Sequence, residues 1–406
     1  MKYITRYLED SIIEIHRTFK VLYVGGPRQV GKTTTLRKLA KKLGVNYITL
    51  DDRIIRELAL RDPHLFLEQY PSPLFIDEVQ YAPGLFSEIK VRVDASDQCG
   101  RYWLTGSEQF AMMKNIRESL AGRVGILTLL GFSHAEIKGV KKIVTPFLNP
   151  KQILLRKKGD SINDIFTEIH RGSFPGLYQL NSPQTEIFYN SYIQTYLERD
   201  IAQLFHVAKL ANFEIFLQLC AARTGQILNM SDLARDAGIS LHAASEWLSI
   251  LESSRQIYLL RPYYTNIPKR LVKMPKLYFL DTGLAAYLTR WNSPPSLQSG
   301  AMKGAFFETF VIIQIIKSYL YRGIEPPLFY VRDKDGHEID LIIQREQKLF
   351  PIEIKCSANI STDDLVPIRF WRQAGLSLGQ GSIICAVDKV SVFDKDTRLI
   401  PCHAIT

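Results

Sequence analysis

The chain has 406 residues, 46% hydrophobic and 23% charged, with a net charge of +10. This length predicts two or three domains, the apolar content excludes wholesale disorder, and the positive balance favours anionic partners. Five scattered cysteines, Cys99, Cys220, Cys356, Cys385 and Cys402, form no CxxC pair, which excludes a disulfide scaffold or a cysteine zinc site and predicts a cytoplasmic location. The stretch Met1–Arg6 lacks a signal-peptide core. The apolar run Phe306–Leu320 is interrupted by Glu308, Gln314 and Lys317, so no membrane partner is expected.

Residues 1–140 alternate strand and helix signals. Strands are predicted at Lys20–Val24, Asn46–Leu50, Pro73–Asp77, Arg101–Thr105 and Gly125–Leu130, with a helix from Thr33 to Leu43 closed by Gly44. Short apolar strands separated by helices predict an α/β domain with a parallel sheet covered on both faces.

Between the first strand and helix, Gly26-Pro27-Arg28-Gln29-Val30-Gly31-Lys32-Thr33 matches G-x-x-x-x-G-K-T. Glycines let backbone N–H groups approach phosphates, and the helix N-terminus adds its positive dipole end. Gly26, Pro27, Arg28, Gln29, Val30, Gly31, Lys32, Thr33 and Thr34 are the expected nucleotide-binding residues, for ATP with Mg2+. Lys32 supplies charge to the β and γ phosphates, and the Thr33 hydroxyl ligates magnesium.

The third strand ends in Asp77-Glu78. Asp77 is placed near the metal, and Glu78 is the expected base that activates water against the γ-phosphate. Thr105 and Ser107 end the fourth strand at the same sheet edge, where they would orient water or sense the γ-phosphate. Arg123 is a candidate for γ-phosphate charge stabilisation, in its own subunit or across an interface, with a surface salt bridge as the alternative.

Residues 141–210 read as a helical connecting segment with an amphipathic helix over Glu186–Phe205. Residues 211–265 read as a winged helix-turn-helix: a helix at Ser231–Ala237, a turn at Gly238-Ile239-Ser240, a helix at Leu241–Ser254 and a strand at Gln256–Leu260. The second helix presents His242, Ser245, Glu246, Ser249 and Glu252, with no Lys or Arg before Arg255, so the module is read as a spacer or protein-contact surface rather than a DNA reader. Two basic clusters, Lys151/Arg156/Lys157/Lys158 and Lys269/Arg270/Lys273/Lys276, are either solvated faces or nucleic-acid contacts. Asn292–Ser296 reads as a loop. Residues 266–406 form a second α/β unit, with a helix around Phe306–Tyr319 and strands at Leu328–Val331, Glu338–Ile343, Leu349–Ile354 and Gly381–Val387.

Taken together, Gly-Pro-Arg-Gln-Val-Gly-Lys-Thr-Thr at 26–34, Asp-Glu-Val-Gln at 77–80, Leu-Thr-Gly-Ser at 104–107 and Ala-Gly-Arg at 121–123 resemble the prokaryotic AAA+-type ATPases that carry a C-terminal domain of unknown function. Tyr196-Leu197-Glu198-Arg199-Asp200, the run from Lys276 to Leu284 and Ile352-Glu353-Ile354-Lys355 fit as well, so the resemblance covers nearly the whole chain. It implies an AAA+-like core, a winged-helix segment and a C-terminal domain similar to PD-(D/E)XK (restriction-endonuclease-like) nucleases; AAA+-like proteins often form rings, which leaves a homo-oligomer open beside a monomer.

Asp340 opens one predicted strand, and Glu353 and Lys355 share a face of the next. Glu308 sits on the preceding helix. Three carboxylates and a lysine suit a second Mg2+ or Mn2+, with Lys355 orienting an attacking water. Asp340, Glu353 and Lys355 match the nuclease motif one by one. The alternatives are a hairpin salt bridge between Glu353 and Lys355, or a nuclease-like fold that binds nucleic acid without cutting. The expected function is an ATPase whose cycle controls a nuclease-like domain acting on DNA or RNA. The alternative is an ATP-dependent switch with an inactive, partner-binding C-terminal domain.

Overall fold

The computed structural model describes residues 3–106, 115–116, 118–140, 159–179, 184–196, 210–264 and 274–405. After helix α1 (Leu8–Thr18) come β1 (Val21–Gly25), α2 (Lys32–Leu43), β2 (Asn46–Thr49), α3 (Arg53–Arg61), α4 (Pro63–Gln69), β3 (Leu74–Asp77), α5 (Gly84–Asp94), β4 (Tyr102–Thr105) and β5 (Val124–Thr128). The five strands form one parallel sheet in the order β2-β3-β4-β1-β5. Every residue of β1, β3 and β4 is buried, as a sheet covered on both faces requires. Alternation along β1 sends Val21 and Tyr23 into one core with Phe66 and Phe86, and Leu22 and Val24 into another with Leu36 and Leu39.

The next elements are α6 (His134–Ile137), α7 (Ile162–Arg171), α8 (Thr185–Tyr196), α9 (Leu210–Ala222), β6 (Gln226–Ile227), α10 (Met230–Asp236), α11 (Leu241–Ser253), β7 (Ile257–Leu260), β8 (Lys276–Phe279), α12 (Thr282–Leu288) and α13 (Pro294–Ser299). Ser240 caps α11 by accepting from the Ala243 amide at 3.1 Å. Strand β8 lies between β6 and β7 and is antiparallel to both. A boundary at 265 therefore divides this three-stranded sheet: β8, assigned from sequence to the last unit, belongs with the middle one. Asn292–Ser296 is also not simply a loop. Ser293 accepts from the Ser296 amide, and Pro294 and Pro295 start α13, where a missing proline N–H costs nothing.

The last unit holds α14 (Lys303–Leu320), β9 (Leu328–Arg332), β10 (Glu338–Arg345), β11 (Lys348–Lys355), α15 (Val366–Gln373), β12 (Gly381–Cys385), β13 (Ser391–Val392) and β14 (Thr397–Pro401). Its six strands run in the order β13-β14-β12-β11-β10-β9, with β11, β12 and β14 parallel to one another. Helix α14 is buried almost throughout, and several of its polar residues bond across the fold. Gln314 accepts from the His134 amide at 2.9 Å, and Lys317 donates to the Phe132 carbonyl at 2.7 Å. Among the described residues no helix is long and apolar enough to cross a membrane.

Candidate nucleotide site and C-terminal carboxylate cluster

The turn after β1 cannot carry side chains near its start. Gly26 has φ +140°, and a Cβ there would stand 1.9 Å from the Leu129 carbonyl oxygen. Gly31, at φ +88°, precedes α2 with no side-chain cap, and the N-terminus of such a helix suits an anion. Lys32 is 8% exposed and donates to the carbonyls of Gly26 at 2.8 Å and Pro27 at 2.7 Å, folding the loop around its ammonium.

The end of β3 lies beside this loop. The Thr33 hydroxyl donates to Asp77 Oδ1 at 3.2 Å, and the Tyr47 hydroxyl donates to Oδ2 at 3.2 Å. Burial pushes the Asp77 carboxyl up to about 6, against the hydrogen bond from Thr33. Glu78 has φ +55°, a left-handed conformation that is unusual for a glutamate. Gln80 Nε2 donates to Glu78 Oε2 at 2.5 Å. The buried Tyr23 hydroxyl and Gln80 Oε1 have no hydrogen-bond partner among the described residues, and the Glu78 charge adds to burial in raising the Tyr23 phenol.

Two expected γ-phosphate residues fare differently. Thr105 is 1% exposed, and its hydroxyl proton is committed to the Val24 carbonyl at 2.9 Å. Ser107 lies outside the described residues. Arg123 is at the wrong edge of the sheet for a role in its own subunit. Its carbonyl accepts from the Val21 amide at 3.2 Å, at the start of β1, whereas the P-loop follows the end of that strand. Four strand steps separate the two edges by about 13 Å. The Arg123 guanidinium forms a two-point pair with the Asp94 carboxylate.

Sequence reasoning missed Arg6, which is 3% exposed. Its Nη1 donates to the Val30 carbonyl of the P-loop at 2.9 Å, its Nη2 to Leu130 O at 2.6 Å and to the Tyr321 hydroxyl at 3.1 Å, and its Nε to Glu136 Oε1 at 3.2 Å. Arg6 thus ties the P-loop to the end of α14. Ser173 and Phe174 stand on the other side with Asp281 of the Leu-Asp-Thr-Gly run, sharing a small cavity with Pro27 and Val30. Asp281 accepts from Ser173 N and Oγ, both at 2.7 Å, and from the Tyr189 hydroxyl at 2.7 Å.

In the C-terminal unit, Glu353 is 1% exposed and flanked by the buried Ile352 and Ile354, so β11 is covered on both faces. Lys355 Nζ donates to Glu353 Oε2 at 3.0 Å, and Asp340 Oδ2 accepts from the Ile354 amide at 2.9 Å. Burial and then the Asp340 charge hold the Glu353 carboxyl well above the usual range. Glu308 does not reach this pair directly. It accepts from the Tyr278 hydroxyl at 2.6 Å and pairs with Lys276 at 3.2 Å. Lys276, read from sequence as part of a basic cluster, is 3% exposed and also meets Glu338 Oε1 at 2.5 Å, so it is no surface contact for nucleic acid. The other members, Lys269, Arg270 and Lys273, and the whole cluster Lys151/Arg156/Lys157/Lys158, lie outside the described residues. Among the described residues, no group of three or more His, Cys, Asp or Glu is arranged to hold a metal ion. The expected set of Glu308, Asp340 and Glu353 is therefore not assembled as a metal site.

Residues 18–138 match the AAA domain family, residues 162–295 a domain of unknown function (DUF8612), and residues 303–405 a second one (DUF4143). Two uncharacterized mycobacterial proteins, Rv2008c of Mycobacterium tuberculosis and Mb2031c of Mycobacterium bovis, are each 29% identical over 84% of this chain and 71% of their own length. Among solved structures, the Walker-type ATPase PABY2304 of Pyrococcus abyssi aligns at 15% identity over 70% of this chain and 96% of its own, with a TM-score of 0.46. A single-substitution variant of Thermotoga maritima RuvB aligns at 16% identity over 62% and 85%, with a TM-score of 0.27. At these scores neither likeness carries weight. The family match and the parallel sheet with its glycine turn make the N-terminal unit an AAA-type P-loop ATPase domain.

Proposed function

We propose that this chain is an ATP-dependent switch: it binds ATP with Mg2+ at the P-loop, hydrolyses it, and uses the cycle to control its C-terminal domain. The observation that carries the reading is the Thr33–Asp77 hydrogen bond at 3.2 Å, beside Lys32 and next to Glu78. A hydroxyl and a carboxylate at a helix N-terminus are the oxygen donors that Mg2+ takes when it is held mainly by substrate phosphates. Bound Mg2+ would supply charge neutralisation to the β and γ phosphates. Lys32 would exchange its two loop carbonyls for phosphate oxygens. Glu78, steadied by Gln80, would accept the proton of the attacking water. Arg123 has a role in this scheme only across a homo-oligomer interface.

The middle unit is proposed as a winged helix, supported by two helices joined through Gly238 and the sheet order β6-β8-β7. The C-terminal unit is proposed as nuclease-like in architecture, supported by Asp340, Glu353 and Lys355 on adjacent strands. Its donor set does not fit a divalent cation as arranged, because Lys276 stands among the carboxylates. The geometry therefore favours a catalytically inactive, partner-binding domain over a DNA- or RNA-cutting one.

Lys32→Ala should abolish ATP binding, and Glu78→Gln should bind ATP but turn it over slowly. Normal turnover in both variants sinks the ATPase reading. Incubation with single- and double-stranded DNA and RNA plus Mg2+ or Mn2+ tests the second domain. Cleavage that is lost in Asp340→Ala and Glu353→Ala would restore the nuclease reading.

A further inference from the structure

Helix α8 has two faces. On one, Phe188, Tyr189 and Tyr192 pack on Phe174 beside the P-loop, with ring centroids 5.5, 6.0 and 4.7 Å away. On the other, Glu186, Asn190 and Gln194 recur every fourth residue, so they share one side of the helix. Together with Glu214 of α9 they line a cleft of about 450 Å³, a volume that takes a small molecule. Tyr287, Arg290 and Trp291, at and just past the end of α12, line it as well.

The aromatic wall is fixed without a ligand. The Tyr189 hydroxyl lies 2.7 Å from Asp281 Oδ1 and 2.9 Å from the Arg171 carbonyl. A Cβ on Gly283 would stand 2.3 Å from that hydroxyl, so only glycine lets α12 seat against it. The Trp291 amide donates to the Ala286 carbonyl at 3.0 Å, and the Trp291 carbonyl accepts from His170 Nε2 at 2.8 Å. The six-membered edge of the Trp291 ring lies against Gly300, where a Cβ would come within 2.2 Å of it.

The charges of the cleft are uncommitted. Glu186, Glu214 and Arg290 form no ion pair among the described residues. Burial lowers the His170 imidazole below its ordinary value, so it adds no positive charge near neutral pH. The lining therefore carries two carboxylates against one guanidinium, on a chain whose net charge is +10. A phosphate-bearing ligand would meet more repulsion than attraction there. A ligand with a cationic head and one carboxylate matches all three groups, since carboxylates and aromatic faces both attract a cation and a guanidinium takes a carboxylate.

We propose that this cleft binds a small zwitterion of the α-amino-acid kind, its cationic group taken by Glu186 and Glu214 beside the Tyr287 and Trp291 rings and its carboxylate by Arg290. The Asn190 and Gln194 carboxamides supply neutral donors and acceptors around it.

The test is isothermal titration of the full chain, without nucleotide, against the standard L-amino acids one at a time, with agmatine (arginine lacking its carboxylate) and succinate as controls. At least one amino acid should bind one per chain with a Kd on the order of a millimolar or below. Binding should weaken about tenfold in Glu186→Gln/Glu214→Gln, whose side chains are exposed and do not hold the fold. Arg290→Gln should remove the advantage of arginine over agmatine if arginine is among the ligands, and otherwise weaken the amino acid that binds by a similar factor. Binding should also change the tryptophan fluorescence, and Trp291→Phe should erase that change while calorimetry still detects the ligand, because Trp103, Trp247 and Trp371 lie on other elements. No amino acid bound at about 10 mM, where a millimolar site is mostly filled, would overturn the proposal. Binding unaltered by the carboxylate and Arg290 variants, succinate bound as well as the amino acid, or a fluorescence response that survives in Trp291→Phe would each overturn it too.

Discussion

Replacing Arg6 by alanine should loosen the P-loop. The Arg6 and Glu136 side chains are 2% and 0% exposed, so the change leaves a buried carboxylate without its cation. The Val30 carbonyl loses its guanidinium donor, whereas Leu130 and Gly131 keep the Tyr321 hydroxyl at 3.4 and 2.6 Å. Breaking a buried pair in this way costs about 3–5 kcal/mol. Glu136 still accepts from the Tyr7 amide at 2.7 Å and the Ser133 amide at 2.8 Å, which places the cost at the lower end. Because a chain of several units need not unfold in one step, local hydrogen exchange is the suitable assay. Protection of the amides in β1, the P-loop and residues 129–131 should fall by about two orders of magnitude at 1.4 kcal/mol per tenfold. Neutralising the stranded charge in Arg6→Ala/Glu136→Gln should recover part of that loss. A fall below tenfold, or equal losses in the single and double variants, would refute the argument.

Gln80→Leu should lower kcat for ATP by about 10²-fold through a misplaced base, while KM changes little. Equal losses in both constants would mean Gln80 only supports the fold. Arg123→Ala should leave turnover unchanged at protein concentrations where the chain is monomeric, because Arg123 lies at the far sheet edge; a loss there would contradict the geometry. His134, fully buried, places Nδ1 2.9 Å from Glu168 and Nε2 3.1 Å from Asp160. Burial lowers the imidazole, but these carboxylates outweigh it and raise it above its usual value, while His134 and Lys138 hold Asp160 down despite partial burial. The raised histidine contributes stability below about pH 6.5 that fades as pH rises through its folded value; the lowered aspartate contributes above about pH 3.9. The stability difference between wild type and His134→Gln should therefore be largest between these limits in thermal melts across pH, and a difference that grows toward pH 9 would refute the pairing.

What could be read in the sequence was local. The P-loop occupies eight consecutive residues between an apolar strand and a helix, so its geometry follows from spacing alone. The strands of the first sheet were legible because a sheet covered on both faces needs unbroken apolar runs. Arg123 could have been placed from the same pattern. It precedes its strand, and in a parallel sheet the start of a strand lies opposite the P-loop edge. Arg6 gave no such signal, since its partners lie 24 to 315 residues away. Lys276 misled for a related reason: the sequence displays its charge beside other basic residues, but burial and the Glu308 and Glu338 carboxylates are set by tertiary packing.

Helix α14 joins the two sites. Near one end Glu308 meets Lys276, and just past the other Tyr321 meets Arg6 beside the P-loop. Thirteen residues of helix set these ends about 20 Å apart. Lys317 and Gln314, buried between them, bond to the chain just after β5 and at the start of α6. A helix so enclosed cannot bend locally without breaking those bonds, so a displacement at the P-loop end must move it as one body. At the far end the Lys276 contacts of 2.5 and 3.2 Å leave little slack. Movement of α14 by an ångström would lengthen the Glu308 pair toward ordinary solvent-separated distances while Lys276 stayed with its own sheet. The physical condition for coupling is therefore two packed positions of α14, and its measure is a double-mutant cycle between Arg6 and Lys276: an interaction term near zero would show the two ends to be independent.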